Sequence, residues 1–510
     1  MSVGSGLVTS RRASLAGYFA GALAMGAVAM AGTAQATETL RLVTAISAPN
    51  GGKITSFDIS FVDPATGTYL LADRTNKGVQ VIDTATNTVR FIAGQGLFTG
   101  ALSSNDISGP DGAMITPLGE IWAGDGNSTL KFLSLFNGAF LGQVATSTTP
   151  PLTRVDEMCF DSNDYIGFVA NNAASPPFVT AVDAFTHQII GQIFFDGTNG
   201  TPLATNGIEQ CAFNPRDGKI YLAVPEINGP GNNSAPGGVV RINPLTLQIE
   251  ATAIVPHSAC AGPQGLAVGP AVSSITGLVA VDGQQPVLGT LSNFGQMLTG
   301  CNGAVSNAGP LRPTALIDDG SQPGGQFGRT IALPFQAGND MVAYNPGDNH
   351  YYLARSGNNS FANPAPDPVS GIPYGCPNIP NYINYGGAIY VGPNGNHLAD
   401  AYGSDAARVF AGPSVLGMVN AATLENDPDT ITGLFNCAAS NPGPGGVGKA
   451  GVPNAHGAAH SVAADPVHNQ IYVPIASTAV TAPQVGLCTQ GGGSDALGCI
   501  AVFQIVGSDP

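Results

Sequence analysis

Short apolar segments alternate with polar turns along most of the chain, and the alternation repeats. The first full repeat reads FDISFVDPATGTYLLADRTNKGVQVIDTATNTVRFI and begins at Phe57. Its pattern is an apolar strand, a turn, a strand with a Tyr or Trp, a loop, a Val-rich strand and a polar turn. About seven such units follow one another, and the clearest span roughly 40–50 residues, the length of a four-stranded propeller blade. The pattern predicts an all-β fold, an approximately seven-bladed β-propeller with loop insertions.

The composition agrees with an architecture of short strands and many turns. The 510 residues include 69 glycines and 39 prolines, and only 10% of the residues are charged. We expect residues 37–510 to form one propeller domain, with insertions near 270–335 and 357–387. The apolar fraction of 43% is enough to build a core.

The first 36 residues have the features of an export signal. Paired arginines, Arg11 and Arg12, precede an apolar stretch that ends in Ala34-Gln35-Ala36, an A-x-A cleavage pattern. The arginine pair suggests a twin-arginine signal, and a Sec-type signal is the alternative. We predict cleavage near Ala36, a periplasmic or extracellular location and no retained membrane anchor.

All eight cysteines lie after the predicted signal, and an even number in an exported protein indicates disulfides. Cys488 and Cys499 flank a short Gly-rich loop and are the pair that the sequence favours. The pairing of the other six stays open at this stage.

The chain is strongly acidic. Its formal charge is −16, and removal of two arginines with the signal gives −18 (−16 − 2). This charge argues against nucleic acid as a partner. It is compatible with cation binding or with solubility alone.

Two segments resemble known propeller repeats. YLLADRTNKGVQVIDTATNTV resembles the YVTN-type repeat, and GPDGAMITPLGEIWAGDG resembles NHL repeats and the propellers of the virginiamycin B lyase and SMP-30/gluconolactonase-like superfamily. The resemblance implies a propeller and a hydrolase or lyase. The lyase family uses histidines and a glutamate on one propeller face, which adds weight to His257 as a site residue.

A set of polar residues recurs at one offset in the repeats. Counting back five residues from the first turn of each repeat selects Asp58, Asp111, Asp156, Glu209, Gln264, Asp340 and His460. Five of these seven are carboxylates, whereas random sampling of 33 acids among 510 residues gives about 0.5. Because the first strand of a propeller blade lines the axis, we expect all seven side chains to converge on one axial mouth.

Such a ring of carboxylates suits a divalent cation, and calcium suits a wide set of oxygens best. We therefore predict Asp58, Asp111, Asp156, Glu209 and Asp340 as metal ligands. His460 brings an imidazole for proton transfer, and His257 and Glu157 are further catalytic candidates. The alternative is that the ring lines a wet channel or bonds to neighbouring backbone.

The ring and the resemblance together predict a metal-assisted hydrolase or lyase that acts on a small ester, lactone or sugar-derived substrate. The alternative is a non-catalytic propeller that binds a protein or a carbohydrate.

Overall fold

In a computed structural model of the protein, the described residues form seven antiparallel four-stranded sheets. The structure describes residues 39–270 without a gap and, after them, residues 278–279, 287–288, 296–303, 314–317, 326–330, 340–354, 382–384, 388–390, 416–421, 425–426, 459–477 and 487–506. The predicted signal segment, residues 1–36, lies outside these ranges, as do Cys376 and Cys437.

The strands are short, as the spacing of the turns predicts. The first seventeen are β1 (Thr39–Ile46), β2 (Ser60–Asp63), β3 (Thr68–Asp73), β4 (Gly78–Asp83), β5 (Thr88–Ala93), β6 (Ala113–Thr116), β7 (Glu120–Asp125), β8 (Thr129–Ser134), β9 (Phe140–Ala145), β10 (Met158–Asp161), β11 (Ile166–Asn171), β12 (Phe178–Asp183), β13 (Ile189–Phe194), β14 (Cys211–Asn214), β15 (Lys219–Val224), β16 (Gly237–Asn243) and β17 (Gln248–Val255). The others are β18 (Ala261–Val268), β19 (Leu278–Val279), β20 (Val287–Leu288), β21 (Gln296–Gly303), β22 (Thr314–Ile317), β23 (Gln326–Thr330), β24 (Val342–Asn345), β25 (His350–Ala354), β26 (Tyr382–Asn384), β27 (Ala388–Tyr390), β28 (Leu416–Asn420), β29 (Glu425–Asn426), β30 (Ala463–Asp465), β31 (Gln470–Ile475) and β32 (Cys499–Val506).

Helical structure is minimal in the described ranges. It consists of two 3-10 turns, Pro49–Gly51 and Asn105–Ile107, and one short helix, α1 (Leu487–Gln490). None of the described residues belongs to a helix that is long and apolar enough to cross a membrane.

Each sheet is one blade of a propeller. Strands β2–β5, β6–β9, β10–β13 and β14–β17 form blades 1 to 4, each in simple up-and-down order. Blade 5 contains β18, β21, β22 and β23, and blade 6 contains β24, β25, β28 and β29. Two small hairpins interrupt these blades in sequence: β19–β20 follows β18 and precedes β21, and β26–β27 follows β25 and precedes β28. Of the predicted insertion 270–335, the described residues thus include the last three strands of blade 5.

The blades close into a ring. The first strand of each blade contacts the first strand of the next, in the order β2, β6, β10, β14, β18, β24, β30 and back to β2. Blade 7 consists of β30, β31, β32 and β1, and β1 pairs antiparallel with β32 at the outer edge. The two ends of the domain therefore share one sheet, which closes the circle. These features confirm the predicted fold, an all-β propeller of about seven blades.

The hydrophobic core lies in the seams between blades. The described residues form seven clusters of buried side chains, and each cluster joins neighbouring blades. In the seam between blades 1 and 2, for example, Leu70 packs in the same cluster as Ile121. A lone blade cannot bury both faces, so each sheet depends on its neighbours. The aromatic residues of the second strands, such as Tyr69 and Trp122, are fully buried here.

Among the described residues, three disulfides connect neighbouring segments of the ring. Cys488–Cys499 forms as the sequence favours, and the two pairings that the sequence left open are Cys159–Cys211 and Cys260–Cys301. Cys159–Cys211 joins the first strands of blades 3 and 4, β10 and β14. Three disulfides are consistent with an oxidising compartment outside the cytoplasm.

Candidate functional site

The seven residues at the shared offset occupy the predicted place. In blades 1, 2, 3, 4 and 6 each lies two residues before the first strand, for example Asp58 before β2 and Asp340 before β24. Gln264 lies inside β18, and His460 precedes β30 by three residues. Because these strands surround the axis, the seven side chains form an axial ring at one end of it. The convergence was predicted, whereas the catalytic and metal-binding roles of the members stay predictions.

His460 of blade 7 contacts one carboxylate from each neighbouring blade, Asp58 of blade 1 and Asp340 of blade 6. Its Nε2 lies 2.6 Å from Oδ1 of Asp58 and 2.8 Å from Oδ2 of Asp340. The imidazole is 30% exposed, so it faces the mouth of the axis. Burial disfavours its charge, but the two carboxylates outweigh that cost and raise the pKa of His460 well above its ordinary value. The two carboxylates thus favour the imidazolium form of His460.

Arg74 neutralises the ring between blades 1 and 2. Its guanidinium contacts Asp58 and Asp111 at once, and all three side chains are buried. Burial disfavours the charge of Asp58, yet Arg74 and then His460 offset this and hold the pKa of Asp58 well below its usual range. Burial raises the pKa of Asp111 well above its usual value, even against the attraction of Arg74.

Arg154 performs a similar role for blade 3. Its Nε lies 2.9 Å from Oδ2 of Asp156, and its Nη1 lies 3.6 Å from Oδ2 of Asp58. Asn172 completes the group, since its Nδ2 donates to Asp156 Oδ2 at 2.6 Å and its Oδ1 accepts from Arg154 Nε at 3.0 Å. Burial raises the pKa of Asp156 to about 6, and Arg154 opposes the shift. Arg154 is 15% exposed and is the guanidinium nearest to solvent in the group.

Two glutamates of blades 3 and 4 differ from the aspartates of the ring. Neither Glu157 nor Glu209 has a cation within ion-pair distance among the described residues. Burial and then the charges of Asp156 and Glu209 raise the pKa of Glu157 well above its usual range. Burial and then Asp340 raise the pKa of Glu209 in the same way. Glu209 Oε1 accepts a hydrogen bond from Gln264 Nε2 at 3.3 Å.

A second set of side chains lies next to the ring positions in sequence. It comprises the residues that immediately follow the ring positions, among them Glu157, Gln210, Met341 and Ser461. Gln210 Oε1 accepts from the backbone N–H of Leu266 at 2.7 Å and of Val342 at 3.0 Å. Its Nε2 donates to the carbonyl of Val342 at 3.1 Å. One side chain of blade 4 thus binds backbone of blades 5 and 6.

His257 is not joined to this group by any contact among the described residues. It lies in the turn between β17 and β18, partly exposed, and its Nδ1 is buried without a hydrogen-bond partner in that part of the chain. Its predicted role in catalysis stays a prediction.

Sequence reasoning missed Arg74, Arg154 and Asn172. A signal for two of them exists, because Arg74 and Asn172 directly follow the second strands β3 and β11. In an antiparallel pair the end of the second strand lies beside the start of the first. Arg154 lies two residues before Asp156 on the same segment. This short spacing in the sequence is the signal that could have indicated it as a partner of Asp156.

The fold and the ring together define a β-propeller with a polar, charge-paired axial mouth. No family model matches the chain, and no curated protein matches it. The YVTN, NHL and gluconolactonase-like resemblance is therefore still a prediction.

Solved structures similar to this chain share little of its sequence. The chain is similar to Kuenenia stuttgartiensis hydrazine synthase, with 11% identity, 84% of this chain and 93% of that chain covered, and a TM-score of 0.45. It is similar to a chain of the mitotic checkpoint complex, with 9% identity, 98% of each chain covered and a TM-score of 0.47. It is also similar to U3-55K, with 8% identity, 91% of this chain and 98% of that chain covered, and a TM-score of 0.48. None of these similarities bears on function.

Proposed function

We propose that this protein is an exported β-propeller enzyme that carries out acid–base chemistry at its axial mouth. The substrate class is a small ester, lactone or sugar-derived molecule, and the reaction is a hydrolysis or an elimination. One observation carries the proposal: His460, partly exposed, lies 2.6 Å and 2.8 Å from two carboxylates of the axial ring. An imidazole held between carboxylates is positioned and charged for proton transfer.

The roles follow from charge and exposure. His460, as an imidazolium, donates its proton to the oxygen that leaves. Asp340, only 11% exposed but at the mouth, accepts the proton from water or from the carbon next to a carbonyl. Arg154 stabilises the negative charge that develops on the carbonyl oxygen. Arg74 is buried between Asp58 and Asp111 and acts as a positioning residue.

The predicted calcium ion is not needed for these roles. Asp58, Asp111 and Asp156, three of the five predicted ligands, already contact a guanidinium. Among the described residues no group of three or more His, Cys, Asp or Glu side chains is arranged to hold a metal. These contacts do not favour calcium, and its presence stays a prediction, so no step is assigned to it.

The test is turnover by the mature protein on a panel of lactones, esters and uronic acid derivatives. We expect His460→Gln to lower kcat/KM by about 100-fold or more, because a general acid contributes that much. His468→Gln is the matched control, since His468 lies in the turn of the β30–β31 hairpin and contacts Asp465 instead. Parallel assays with added calcium and with a chelator test the metal prediction. Unchanged activity of His460→Gln, or no turnover with specific carbohydrate or protein binding instead, would contradict the enzyme proposal.

A further inference from the structure

The axial ring has two electrostatically different sides. On the side of blades 6, 7, 1 and 2, His460 and Arg74 contact Asp58, Asp111 and Asp340. The side of blades 3, 4 and 5 carries Asp156, Glu157, Glu209 and Gln264. Arg154 is the cation that contacts this second side, and it pairs with Asp156 at its edge. Glu157 and Glu209 have no cation within ion-pair distance in the described part of the chain.

The second side also carries hydrogen-bond acceptors without donors. Gln264 is only 9% exposed, and its Oε1 is buried with no hydrogen-bond partner among the described residues. The same is true of Oδ1 of Asp156 and, on the first side of the ring, of Oδ2 of Asp111. Buried polar atoms of this kind are normally satisfied, and each one needs an explanation. The Nε2 of Gln264 donates to Glu209, so the unpartnered oxygen belongs to the group that contains the unpaired carboxyl groups.

We infer that this acceptor side, formed by Asp156, Glu157, Glu209 and Gln264, receives a protonated amino group of the substrate. The inference rests on the proposed function and narrows it to amino-substituted esters, lactones or amino sugar derivatives. A primary ammonium supplies three N–H donors and one positive charge, which match unsatisfied oxygens and two unpaired carboxyl groups. A hydroxyl in the same place supplies a single donor and no charge.

The orientation of such a substrate agrees with the proposed chemistry. With its ammonium group on the side of blades 3 to 5, its reacting carbonyl extends across the mouth toward His460. Arg154 lies between the two sides, since it contacts both Asp156 and Asp58. The competing explanation is that the two glutamates hold protons and need no cation, in which case an amine and an alcohol bind alike.

The experiment measures binding rather than turnover. Calorimetric titrations of the mature protein use two matched pairs of probes, glucosamine against glucose and alanine methyl ester against methyl lactate. We expect the amine of each pair to bind about tenfold more tightly, because charge-assisted hydrogen bonds are roughly twice as strong as neutral ones. Glu209→Gln and Gln264→Met should each reduce that preference. Glu250→Gln, in the outer strand β17 where Glu250 pairs with Lys219, is the matched control and should retain it.

The outcomes separate the two claims. Equal affinity within both pairs, no binding of any probe, or an unchanged preference in folded Glu209→Gln and Gln264→Met would overturn the inference. Thermal unfolding of each variant shows which ones are folded. An amine preference without turnover would overturn the enzyme proposal alone, and turnover without an amine preference would overturn this inference alone.

Discussion

The charge state of His460 gives the sharpest test of the axial ring. The perturbation is Asp340→Asn, which keeps the shape of the side chain and removes one of the two charges that contact Nε2. The contact measures 2.8 Å. A hydrogen bond to a charged partner contributes about 1.5–3 kcal/mol, and one pKa unit corresponds to about 1.36 kcal/mol. We therefore expect the substitution to lower the pKa of His460 toward its ordinary value, because one of the two carboxylates that raise it is gone.

The assay is an NMR titration of histidine-labelled protein from acid to alkaline pH. The chain has seven histidines, so the spectrum of His460→Gln assigns the resonance. Asp465→Asn is the matched control, because it removes the carboxylate beside His468 and should leave His460 unchanged. If His460 of the native protein titrates near its ordinary pKa, or if Asp340→Asn does not shift it, the ion-pair reasoning is wrong.

The same shift has a consequence for stability. The folded protein holds the His460 proton more tightly than the unfolded chain, since its pKa is raised on folding. The stabilisation is fully present below the unfolded pKa of about 6.5 and is lost as the pH rises through the folded value. Urea unfolding across this alkaline range should show a decline that is absent in His460→Gln.

Three further predictions concern stability, and chemical denaturation measures each. Arg74→Met leaves two buried carboxylates without a shared counter-ion and should cost about 3–5 kcal/mol, with Arg74→Lys less harmful; equal stability of Arg74→Met and the native protein would contradict the pairing. Replacing Cys159 and Cys211 by serine opens a loop with a sequence separation of 52. Chain entropy predicts that the free energy of unfolding falls by about 4 kcal/mol, and a fall below about 1 kcal/mol would count against that model. Gly112→Ala places a Cβ 1.8 Å from the carbonyl oxygen of Asp156, so it must force blades 2 and 3 apart; an unchanged midpoint would refute the close packing.

The repeat and the ring were predictable because backbone geometry imposes both. Strand pairing fixes how far each first strand lies from its turn, so a constant offset of five residues marks one height around the axis. This is why Asp58 and Asp340, 282 residues apart in sequence (340 − 58), both reach His460. The disulfide Cys488–Cys499 was predictable for a simpler reason, a short loop between two cysteines.

The partners of the ring were not predictable by the same route, because they break the repeat. Arg74 follows the second strand of blade 1, where the equivalent position in blade 2 is Gly126 and in blade 3 is Asn172. Gln210 crosses the axis to backbone of blades 5 and 6, a contact that no local pattern encodes. Counting a fixed offset from each turn identifies positions that recur in every blade. It does not identify a residue or a contact that occurs in one blade only.

This asymmetry explains how an acidic ring can exist at all. Seven identical acids at one height would repel one another, and most would remain protonated. The chain departs from the repeat at a few places instead: His460 and Gln264 replace acids, and Arg74 and Arg154 come from non-equivalent positions. These departures place cations beside some carboxylates and leave Glu157 and Glu209 unpaired. The ring thus has one side where cations contact the carboxylates and one side where two carboxyl groups lack such a contact, and the proposed orientation of a substrate depends on this difference.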